Sequence, residues 1–458
     1  MKKLILLLIS AAMCINIYAG GKLVVGYYNY DNARYPHTVI DYSSLTHICH
    51  AFIWPLADGS ISYSSTLALY PDMISAAHKN GVKVLVSIGG YGTASQNTGF
   101  KSMVGNAASR AAFVTNLVNF IKTYQYDGAD FDWEYPRSDD RANFTSLLTD
   151  IRAAFKTNNI PLLTAAVPSA DYGGGYDIPK LAGILDWIGI MTYDFIGPWD
   201  AVGTSIYHNS ALYGSSKQAY SIEKSVAAWT GYGMPKSRIL IGTPFYGYLL
   251  NAPDIFAAKT STSGEISVSY ANIEQNYLTN QNWEYNFDNT TKNPYLRNKT
   301  HTQILTFDDT VSVRMKCQYV NAQGLGGTII WKIAQGYNGF DNPLLSTVGD
   351  NLLRNVTYAA SVKTYPNIFA ISNFPNPFNP DTMIRYSIPS LDGNGKTLRV
   401  KIKVYDMLGR TVKALLDEDK KPGTYEVNFN AGRLSSGIYL CSIEAGHLRT
   451  VHKMLLSR

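Results

Sequence analysis

The stretch DGADFDWEYP, residues 127–136, alternates acidic and aromatic residues in a run that otherwise has the pattern of a buried strand. Residues two apart on a strand share a face. The acids Asp130, Asp132 and Glu134 therefore point one way, and the aromatic residues Phe131, Trp133 and Tyr135 point the other. Three neighbouring carboxylates are costly in a core, because they repel one another and lose solvation. The stretch indicates either a strand with one face in solvent or a strand that carries catalytic or binding residues.

The pattern around this stretch predicts the fold. From about residue 22 to residue 334, strand-like runs alternate with helix-like stretches such as the amphipathic segment 109–124. The strand candidates are LVVGYY (23–28), THICHAFIW (46–54), VKVLVSIGG (82–90), GADFDWE (128–134), LLTAAV (162–167), WIGIMTY (187–193), ILIGTPFYGY (239–248) and GGTIIW (326–331). Eight strands with helical crossovers predict an α/β fold, a (β/α)8 TIM barrel. The long gap between strands seven and eight, at about 249–325, predicts a small α+β insertion.

A barrel fold argues against a solvent-exposed face on the acidic strand, because helices cover the outer faces of barrel strands. The aromatic residues then pack under the helices and the acids enter the interior, which is normally filled by Val, Ile and Leu. Stacked acids raise each other's pKa, so one of them can hold a proton near neutral pH. Glu134 lies nearest the C-terminal rim, where barrel enzymes place their chemistry, and is the best candidate for a proton donor.

The sequence resembles a known family. DGADFDWEYP is similar to the signature strand of glycoside hydrolase family 18, the chitinases and their relatives. Four further stretches resemble family motifs in the family's order: SIGG (87–90) in the third strand, MTYD (191–194) in the sixth, GTPFYG (242–247) in the seventh and GGTIIW (326–331) in the eighth. Five ordered motifs make the resemblance much more specific than a single acidic strand would.

The resemblance implies a retaining, substrate-assisted mechanism, in which the N-acetyl oxygen of the substrate attacks the sugar in place of an enzyme carboxylate. Glu134 would protonate the glycosidic oxygen and later activate water. Asp132 would orient the acetamido nitrogen, with Asp130 supporting it and Ser87 as a partner on the neighbouring strand. No metal or organic cofactor is implied, because the substrate supplies the nucleophile.

Further positions carry over from the same motifs. Tyr193 would donate to the acetamido carbonyl, and Trp331 would form the floor under the distorted sugar. Other residues expected to line or support the site are Tyr28, Phe52, Gly89, Gly90, Tyr135, Met191, Asp194 and Tyr246. Taken alone, several have a plainer interpretation: Tyr193 and Trp331 end apolar strands and suit a core, and SIGG suits a strand-ending turn.

The N-terminus has the features of a secretory signal. Met1-Lys2-Lys3 precedes an apolar run and the small residues Ala19–Gly21, which predicts a Sec-type signal peptide over residues 1–20. Cys14 follows Met13, a poor residue before a lipid-anchored cysteine, so cleavage is favoured over lipidation. No other stretch approaches the length of a membrane span, which predicts a soluble mature protein. Cys49 and Cys317 could pair in an oxidising compartment, but two isolated buried thiols are favoured.

The net charge of +6 resides mostly in the C-terminal part. Residues 374–458 hold 13 Lys and Arg against 8 Asp and Glu, while residues 1–373 hold 27 against 26. Two of those 27 are in the predicted signal peptide, so the predicted barrel is close to neutral. This distribution argues against nucleic acid as a partner.

The alternation of strands and helices breaks at NFPNPFNP (373–380). Short alternating strands follow: TMIRYSI (382–388), LRVKIKVYD (398–406), TYEVNF (424–429) and GIYLCSIEA (437–445). They predict an immunoglobulin-like β-sandwich over 373–458, joined by a linker at 359–372 to a catalytic barrel over 21–358.

FPNPFNP, YDMLGR (405–410), LSSGIY (434–439) and VHKMLLSR (451–458) resemble a type A sorting domain of type IX secretion. This implies export through the Sec route and then the type IX machinery of a Gram-negative bacterium. An accessory sugar-binding module is the alternative.

The functional hypothesis is a secreted, monomeric, endo-acting chitinase that cleaves β-1,4 bonds between N-acetylglucosamine units. One alternative is an endo-β-N-acetylglucosaminidase that acts on N-glycans, which WEYP (133–136) and the large insertion disfavour. The other is a catalytically inactive lectin, which the presence of Glu134 disfavours.

Overall fold

The computed structural model describes residues 21–29, 35–63, 71–278, 280–354, 370–374, 376–388, 397–446 and 448–457. The predicted signal peptide and most of the predicted linker lie outside these residues. The strands up to residue 354 are β1 Leu23–Tyr28, β2 His47–Pro55, β3 Ile61–Ser62, β4 Lys83–Gly90, β5 Gly128–Trp133, β6 Leu162–Val167, β7 Ile188–Ile190, β8 Ile239–Pro244, β9 Tyr246–Asn251, β10 Ser261–Ser269, β11 Trp283–Asp288, β12 Asn293–Asn298, β13 Ile304–Thr306 and β14 Gly327–Trp331. The helices are α1 Pro71–Lys79, α2 Ala94–Gly105, α3 Ala107–Tyr124, α4 Arg141–Thr157, α5 Ile178–Ile184, α6 Ile222–Gly231, α7 Tyr270–Asn276, α8 Thr310–Ala322 and α9 Pro343–Leu352.

Eight parallel strands close into a barrel, which confirms the prediction from the alternating pattern. Their order is β1-β14-β8-β7-β6-β5-β4-β2, and β1 closes the ring by pairing with both β14 and β2. The strand β4 runs beside β5 with Ser87 opposite Asp130 and Gly89 opposite Asp132. This register places the motif of the third barrel strand directly against the acidic strand.

Two predicted strands were too long. WIGIMTY narrows to β7, which ends at Ile190, so the residues that follow lie in the loop at the C-terminal rim. ILIGTPFYGY divides at Phe245 into the barrel strand β8 and the strand β9, which belongs to a different sheet. Continuous hydrophobicity on both sides of Phe245 conceals this change of sheet in the sequence.

The helices cover the outer face of the barrel, as helix α3 illustrates. The side chain of Asn106 caps its N-terminus, and Gln125 ends it in the left-handed conformation with φ of 61°. The apolar residues of the predicted amphipathic stripe, Phe113, Leu117, Val118 and Ile121, are all buried. The periodicity of 109–124 therefore predicted both the helix and the face that packs on the barrel.

The insertion between β8 and α8 is an antiparallel sheet with one short helix. Its strand order is β10-β9-β13-β12-β11, and helix α7 follows β10. The strand β9 begins two residues after β8 ends, so the sheet rises directly from the C-terminal rim of the barrel. This position brings the insertion beside any site on that rim.

The C-terminal part folds into two antiparallel sheets with a shared core. Its strands are β15 Ala370–Phe374, β16 Asp381–Ile388, β17 Leu398–Tyr405, β18 Thr411–Lys420, β19 Gly423–Asn430, β20 Gly437–Ala445 and β21 Leu448–Leu456. One sheet has the order β15-β16-β19 and the other β18-β17-β20-β21. Ile384 and Phe429 of the first sheet and Val400 and Ile443 of the second belong to one buried cluster. The sequence did not predict β15, β18 and β21; the exposed charged residues of TVKALLDEDK (411–420) conceal β18.

Cys49, Cys317 and Cys441 are buried free thiols. Burial raises the pKa of each thiol, and at Cys49 the charge of Asp130 raises it further, so all three stay protonated. Among the residues described, no helix combines the length and apolar character that a membrane crossing needs.

Candidate active site

The lowest acid of the strand, Asp130, is 2% exposed and fully engaged with neighbouring hydroxyls. Tyr27 donates to its Oδ2 at 2.7 Å, Ser87 donates to the same oxygen at 2.9 Å, and Thr164 donates to Oδ1 at 2.7 Å. Burial raises the pKa of Asp130, and these hydroxyls oppose that rise by stabilising the carboxylate. The sequence predicted Ser87 as a partner of this strand, but it did not reveal Tyr27 or Thr164.

Two glycines allow the third barrel strand to approach the acids. Gly89 has φ of 115°, and a Cβ at this position would lie 2.2 Å from the backbone oxygen of Asp132. Gly90 has φ of 84°, and a Cβ there would lie 2.5 Å from the ring of Phe52. A side chain at either position would therefore collide with the acidic strand or the aromatic floor beside it.

Asp132 differs from Asp130 in having an unpaired oxygen. It is 4% exposed, and its Oδ1 is buried with no hydrogen-bond partner among the residues that the structure describes. Burial raises the pKa of Asp132 well above its ordinary value, and the charges of Glu134 and Asp130 raise it further. An unpaired buried carboxylate oxygen is a costly feature that a bound N–H group would relieve.

Glu134 lies just beyond the end of β5 and opens onto the cleft above the barrel. Its pKa is raised to about 7, first by burial and then by the charge of Asp194, while a hydrogen bond from Tyr135 lowers it. The predicted raised pKa is thus present, but its main cause is the loss of solvent. The predicted repulsion between acids of one strand is present at Asp132, whose pKa the charges of Glu134 and Asp130 raise, and Asp194 adds a charge that the sequence did not reveal.

Tyr135 also corrects the sequence interpretation. Strict alternation placed it on the outer face with Phe131 and Trp133. Those two do pack outward, and Trp133 stacks on Phe100 of α2 with ring centroids 4.6 Å apart. Because β5 ends at Trp133, alternation no longer applies to Tyr135, which is half exposed and lines the cleft. This is the place assigned to it by the family resemblance.

The loop after β7 brings a second group of residues to the same cleft. Asp194 has φ of 60°, and its backbone N–H donates to Oδ1 of Asn209 at 2.9 Å. Its carboxylate Oδ1 accepts from the hydroxyls of Tyr246 and Tyr248, the latter at 2.8 Å. Desolvation by the surrounding residues raises the pKa of Asp194, and the two hydroxyls oppose the rise. This arrangement fixes Asp194 beside the acidic strand.

Tyr193 precedes Asp194 and is buried. Burial raises the pKa of its hydroxyl, and the carboxylates of Asp132, Asp194 and Glu134 raise it further. Its ring packs against the backbone at Gly242, where a Cβ would lie 2.7 Å from the tyrosine Cε1. The hydroxyl therefore stays protonated and can act as a hydrogen-bond donor.

The floor of the cleft is aromatic. Trp331, at the end of β14, stacks on Phe52 with centroids 5.7 Å apart and meets the edge of Tyr27 at 5.5 Å. Tyr28, which was expected to line the site, is instead buried in the outer core, where its hydroxyl donates to the backbone oxygen of Tyr35 at 3.0 Å. Side chains alternate along β1, so Tyr27 takes the inward position and Tyr28 the outward one.

These residues border one cleft of about 860 Å³ at the C-terminal rim. Its walls include Phe52, Asp132, Glu134, Tyr135, Met191, Tyr193, Asp194 and Trp331. Three exposed aromatic residues on its rim were not predicted from the sequence: Tyr91, Tyr172 and Trp199. A signal was present for two of them, because Tyr91 directly follows SIGG and Trp199 lies in the Gly-Pro turn five residues after Asp194. Exposed aromatic residues in a loop are unusual enough to suggest a ligand surface.

The geometry defines what the site can do. A carboxyl group with a pKa of about 7 can give and take a proton near neutral pH. The unpaired oxygen of Asp132 can accept from an N–H or stabilise a positive charge, and Tyr193 can donate to a carbonyl. A flat aromatic floor with exposed rings on the rim suits the faces of sugar rings.

Known proteins match the two folded parts separately. The family model for glycosyl hydrolases family 18 matches residues 23–336, and that for a secretion system C-terminal sorting domain matches residues 372–457. The chain is 30% identical over 295 residues to "Chitinase A1" of Niallia circulans, a match that covers 56% of this chain and 41% of that protein. It is also 30% identical over 351 residues to a "Probable endochitinase" of Caenorhabditis elegans, covering 67% of this chain and 55% of that protein.

A solved structure shares the fold of the barrel and insertion. The Group IV chitinase of Ostrinia furnacalis, in complex with allosamidin, superposes with a TM-score of 0.64 and 27% identity. The match covers 73% of this chain and 100% of that one. Since the family model spans most of the chain and includes every strand of the barrel, the chain belongs to the glycosyl hydrolases of family 18.

Proposed function

We propose that this protein is a chitinase that hydrolyses β-1,4 bonds between N-acetylglucosamine units by a retaining, substrate-assisted mechanism. The proposal rests above all on the buried, unpaired Oδ1 of Asp132 beside Glu134, whose pKa of about 7 suits a general acid. The Asp132 oxygen needs an N–H donor, and the Glu134 carboxyl needs a leaving-group oxygen to protonate. A 2-acetamido sugar presents both. The names of the relatives support the same substrate class.

In the proposed reaction, Glu134 gives its proton to the glycosidic oxygen as the bond from that oxygen to the anomeric carbon breaks. The acetamido oxygen of the same sugar forms a bond to the anomeric carbon, which gives a positively charged oxazolinium ring. Asp132 accepts the acetamido N–H and stabilises that charge, while Asp130 supports Asp132 from below. Glu134 then takes a proton from water as the water oxygen attacks the anomeric carbon, and the bond from the acetamido oxygen to that carbon breaks, which restores the acetamido group. Each of the two displacements inverts the anomeric carbon, so the configuration is retained overall.

Other residues hold the sugar in place. Tyr193 donates to the acetamido carbonyl, and Trp331 with Phe52 forms the floor. Met191, Tyr135 and Asp194 line the walls, and the buried Tyr246 holds Asp194 by donating to its carboxylate. A cleft of about 860 Å³ with exposed rings on its rim suits a chain of several sugars, which favours endo action. A monomer provides all of these groups.

We further propose that residues 21–358 form the catalytic unit and residues 373–458 an immunoglobulin-like sandwich. The match to a secretion system sorting domain supports export to the cell surface or medium. The apolar N-terminal segment suggests that residues 1–20 direct the chain to the Sec route before type IX secretion. Replacing residues 373–458 with a stop codon should leave the protein in the periplasm, and its appearance in the medium would contradict the assignment.

The central experiment combines a variant with product stereochemistry. Wild-type protein and Glu134→Gln are incubated with an N-acetylglucosamine hexamer, and the first product is observed by NMR before mutarotation. We expect the β anomer from the wild type and a loss of at least about a hundredfold in kcat for the variant. Glu223→Gln, an exposed glutamate at the start of α6, is the matched control and should match the wild type.

Three outcomes would overturn the proposal. An α anomer as first product would exclude retention, and full activity of Glu134→Gln would exclude the assigned acid. Release of glycans from a high-mannose glycoprotein without cleavage of the hexamer would identify an endo-β-N-acetylglucosaminidase instead.

A further inference from the structure

A lysine of the insertion is buried beneath the rim of the cleft. Lys259 is 1% exposed, and its ammonium donates to three backbone oxygens, those of Gly197 at 3.1 Å, Pro198 at 3.2 Å and Asp200 at 2.6 Å. The same nitrogen lies 2.8 Å from Oε2 of Glu265, a carboxylate whose side chain is fully buried. One cation thus binds three carbonyl oxygens of a single turn, residues 197–200, much as a metal ion would.

That loop carries Trp199, whose side chain is 62% exposed on the wall of the cleft. Its indole lies over Gly197, where a Cβ would be only 2.3 Å from the ring. The ring also meets Tyr248 edge to face, 5.3 Å away between centroids, and Tyr248 in turn donates to Asp194. The ring position therefore depends on the backbone that Lys259 holds.

The backbone of Lys259 ties the far end of the same loop. Its N–H donates to the oxygen of Thr204 at 2.8 Å, and its oxygen accepts from Gly203 at 2.8 Å. Ser205 and Ala258 form an antiparallel bridge immediately beyond. The insertion thus fixes the loop through both the main chain and the side chain of one residue.

A buried ion pair is a poor source of stability, because the desolvation of the two charges offsets most of their attraction. An apolar pair of similar volume would fill the space as well. What an ammonium supplies, and a methyl group cannot, is a set of donors that orders three carbonyls in a loop with an exposed ring. The cost of the pair is therefore better explained by the geometry of the loop than by the stability of the fold.

We propose that Lys259, neutralised by Glu265, is a positioning residue that holds Trp199 against a sugar of the bound chain outside the catalytic subsite. The inference rests on the proposed function, since it takes the cleft to bind a chain of N-acetylglucosamine. It assigns to Lys259 and Glu265 of the insertion a specific task, the placement of Trp199 for longer chains, and it leaves the proton transfer by Glu134 unaffected.

The test compares three full-length variants: Lys259→Met with Glu265→Gln, Trp199→Ala, and the combination of all three changes. The paired change avoids an uncompensated buried charge that could unfold the protein. kcat and KM are measured on an N-acetylglucosamine hexamer and on a chromogenic N-acetylglucosamine dimer, together with the melting temperature. Lys156→Met, on the exposed face of α4, is the matched control.

We expect the paired change to raise KM for the hexamer about tenfold, with a much smaller effect on kcat and on the dimer. Trp199→Ala should show the same dependence on chain length. The combination should be no worse than Trp199→Ala alone, because both changes act through one ring. Additive losses, equal losses on both substrates, or an unchanged KM for the hexamer would overturn the proposal.

A binding measurement separates this inference from the proposed function. Hexamer affinity is measured by calorimetry in the Glu134→Gln background, with and without the paired change. Wild-type protein that cuts neither substrate would contradict the proposed function. An active wild type whose hexamer affinity is unaffected by the paired change would contradict only the role of Lys259.

Discussion

Two carboxylates of β5, two residues apart and both inside the barrel, have opposite hydrogen-bonding environments. We call the positions of Asp130 and Asp132 the lower and the upper level. At the lower level, Asp130 accepts from Tyr27, Ser87 and Thr164, which come from three other strands. At the upper level, Asp132 is almost equally buried, yet its Oδ1 has no donor among the described residues. Both carboxylates have raised pKa values, but only the upper one lacks compensation.

The difference separates structural support from function. A buried polar atom without a partner costs about 1–3 kcal/mol, whereas a paired one costs little net free energy. The protein could have supplied donors at the upper level, as it does one step below. Leaving Asp132 unpaired makes sense where a ligand completes the site. The lower level is then an anchor and the upper level a binding surface.

The largest expected effect removes the charge at the upper level. Asp132→Asn should lower kcat on an N-acetylglucosamine hexamer by about 10²–10³-fold, because the carboxylate no longer stabilises the positive intermediate. The melting temperature should stay level or rise, since a buried charge beside Glu134 is gone. Asp130→Asn is the comparison and should lower the melting temperature, because an amide cannot accept from three hydroxyls. A loss of stability in Asp132→Asn as large as in Asp130→Asn would remove the distinction between the two levels.

The alternation of DGADFDWEYP was sufficient to predict which side chains of β5 enter the barrel. It succeeded for Phe131 and Trp133, which pack outward, and for the two aspartates. It failed at Tyr135, since the position where a strand ends depends on the neighbouring strands that stop pairing with it. The run LVVGYY has apolar residues on both faces, so its pattern did not show that Tyr27 rather than Tyr28 points inward.

Contacts between residues distant in the chain were beyond sequence reasoning. The donors to Asp130 come from β1, β4 and β6, and no periodicity links them. One charge that raises the pKa of Glu134 is that of Asp194, on the loop after β7. Sequence spacing identified carboxylates that share a strand, but solvent exclusion, the main cause of the shift, exists only once the barrel has closed.

The next largest effect concerns stability at the upper level. The pKa of Glu134 is raised from 4.5 to about 7 in the folded protein. Ionisation is therefore harder in the folded than in the unfolded state. The cost to stability is absent below pH 4.5, grows as the pH rises and is complete above about pH 7, where it reaches about 3 kcal/mol. Glu134→Gln removes this cost and should have a higher melting temperature than the wild type at pH 8.5, with little difference at pH 4. An equal difference at both pH values would show that ionisation is not its cause.

A smaller effect tests the anchor. Tyr27→Phe removes one of the three hydroxyls from Asp130 and keeps the ring that packs against Trp331. We expect a loss of about 0.5–1.5 kcal/mol in the free energy of unfolding, measured by urea denaturation, and a loss of less than about tenfold in kcat. Tyr28→Phe, which removes a hydroxyl from the outer core, is the control for stability and should leave kcat unchanged. If Tyr27→Phe lowered kcat as much as Asp132→Asn, the lower level would belong to the chemistry and not only to its support.

The smallest expected effect is a shift in the pH dependence of kcat/KM when the charge of Asp194, on the loop after β7, is removed. Glu134 must be protonated to act as the acid, so kcat/KM should fall as the pH rises through about 7. The negative charge of Asp194 contributes to that raised value. Asp194→Asn removes the charge, so Glu134 loses its proton at lower pH, and the alkaline limb of the pH profile of kcat/KM should move to lower pH by less than about one unit.

Asp194 also accepts hydrogen bonds from Tyr246 and Tyr248, so the variant will have a lower maximal kcat/KM as well. The decisive quantity is therefore the pH at which the alkaline limb lies. Tyr248→Phe serves as the control: it removes one of these hydrogen bonds but keeps the charge, so it should not lower the limb. A limb that stays in place in Asp194→Asn would show that the charge of Asp194 does not contribute to the raised pKa of Glu134, and burial together with repulsion from Asp132 on the same strand would then account for it.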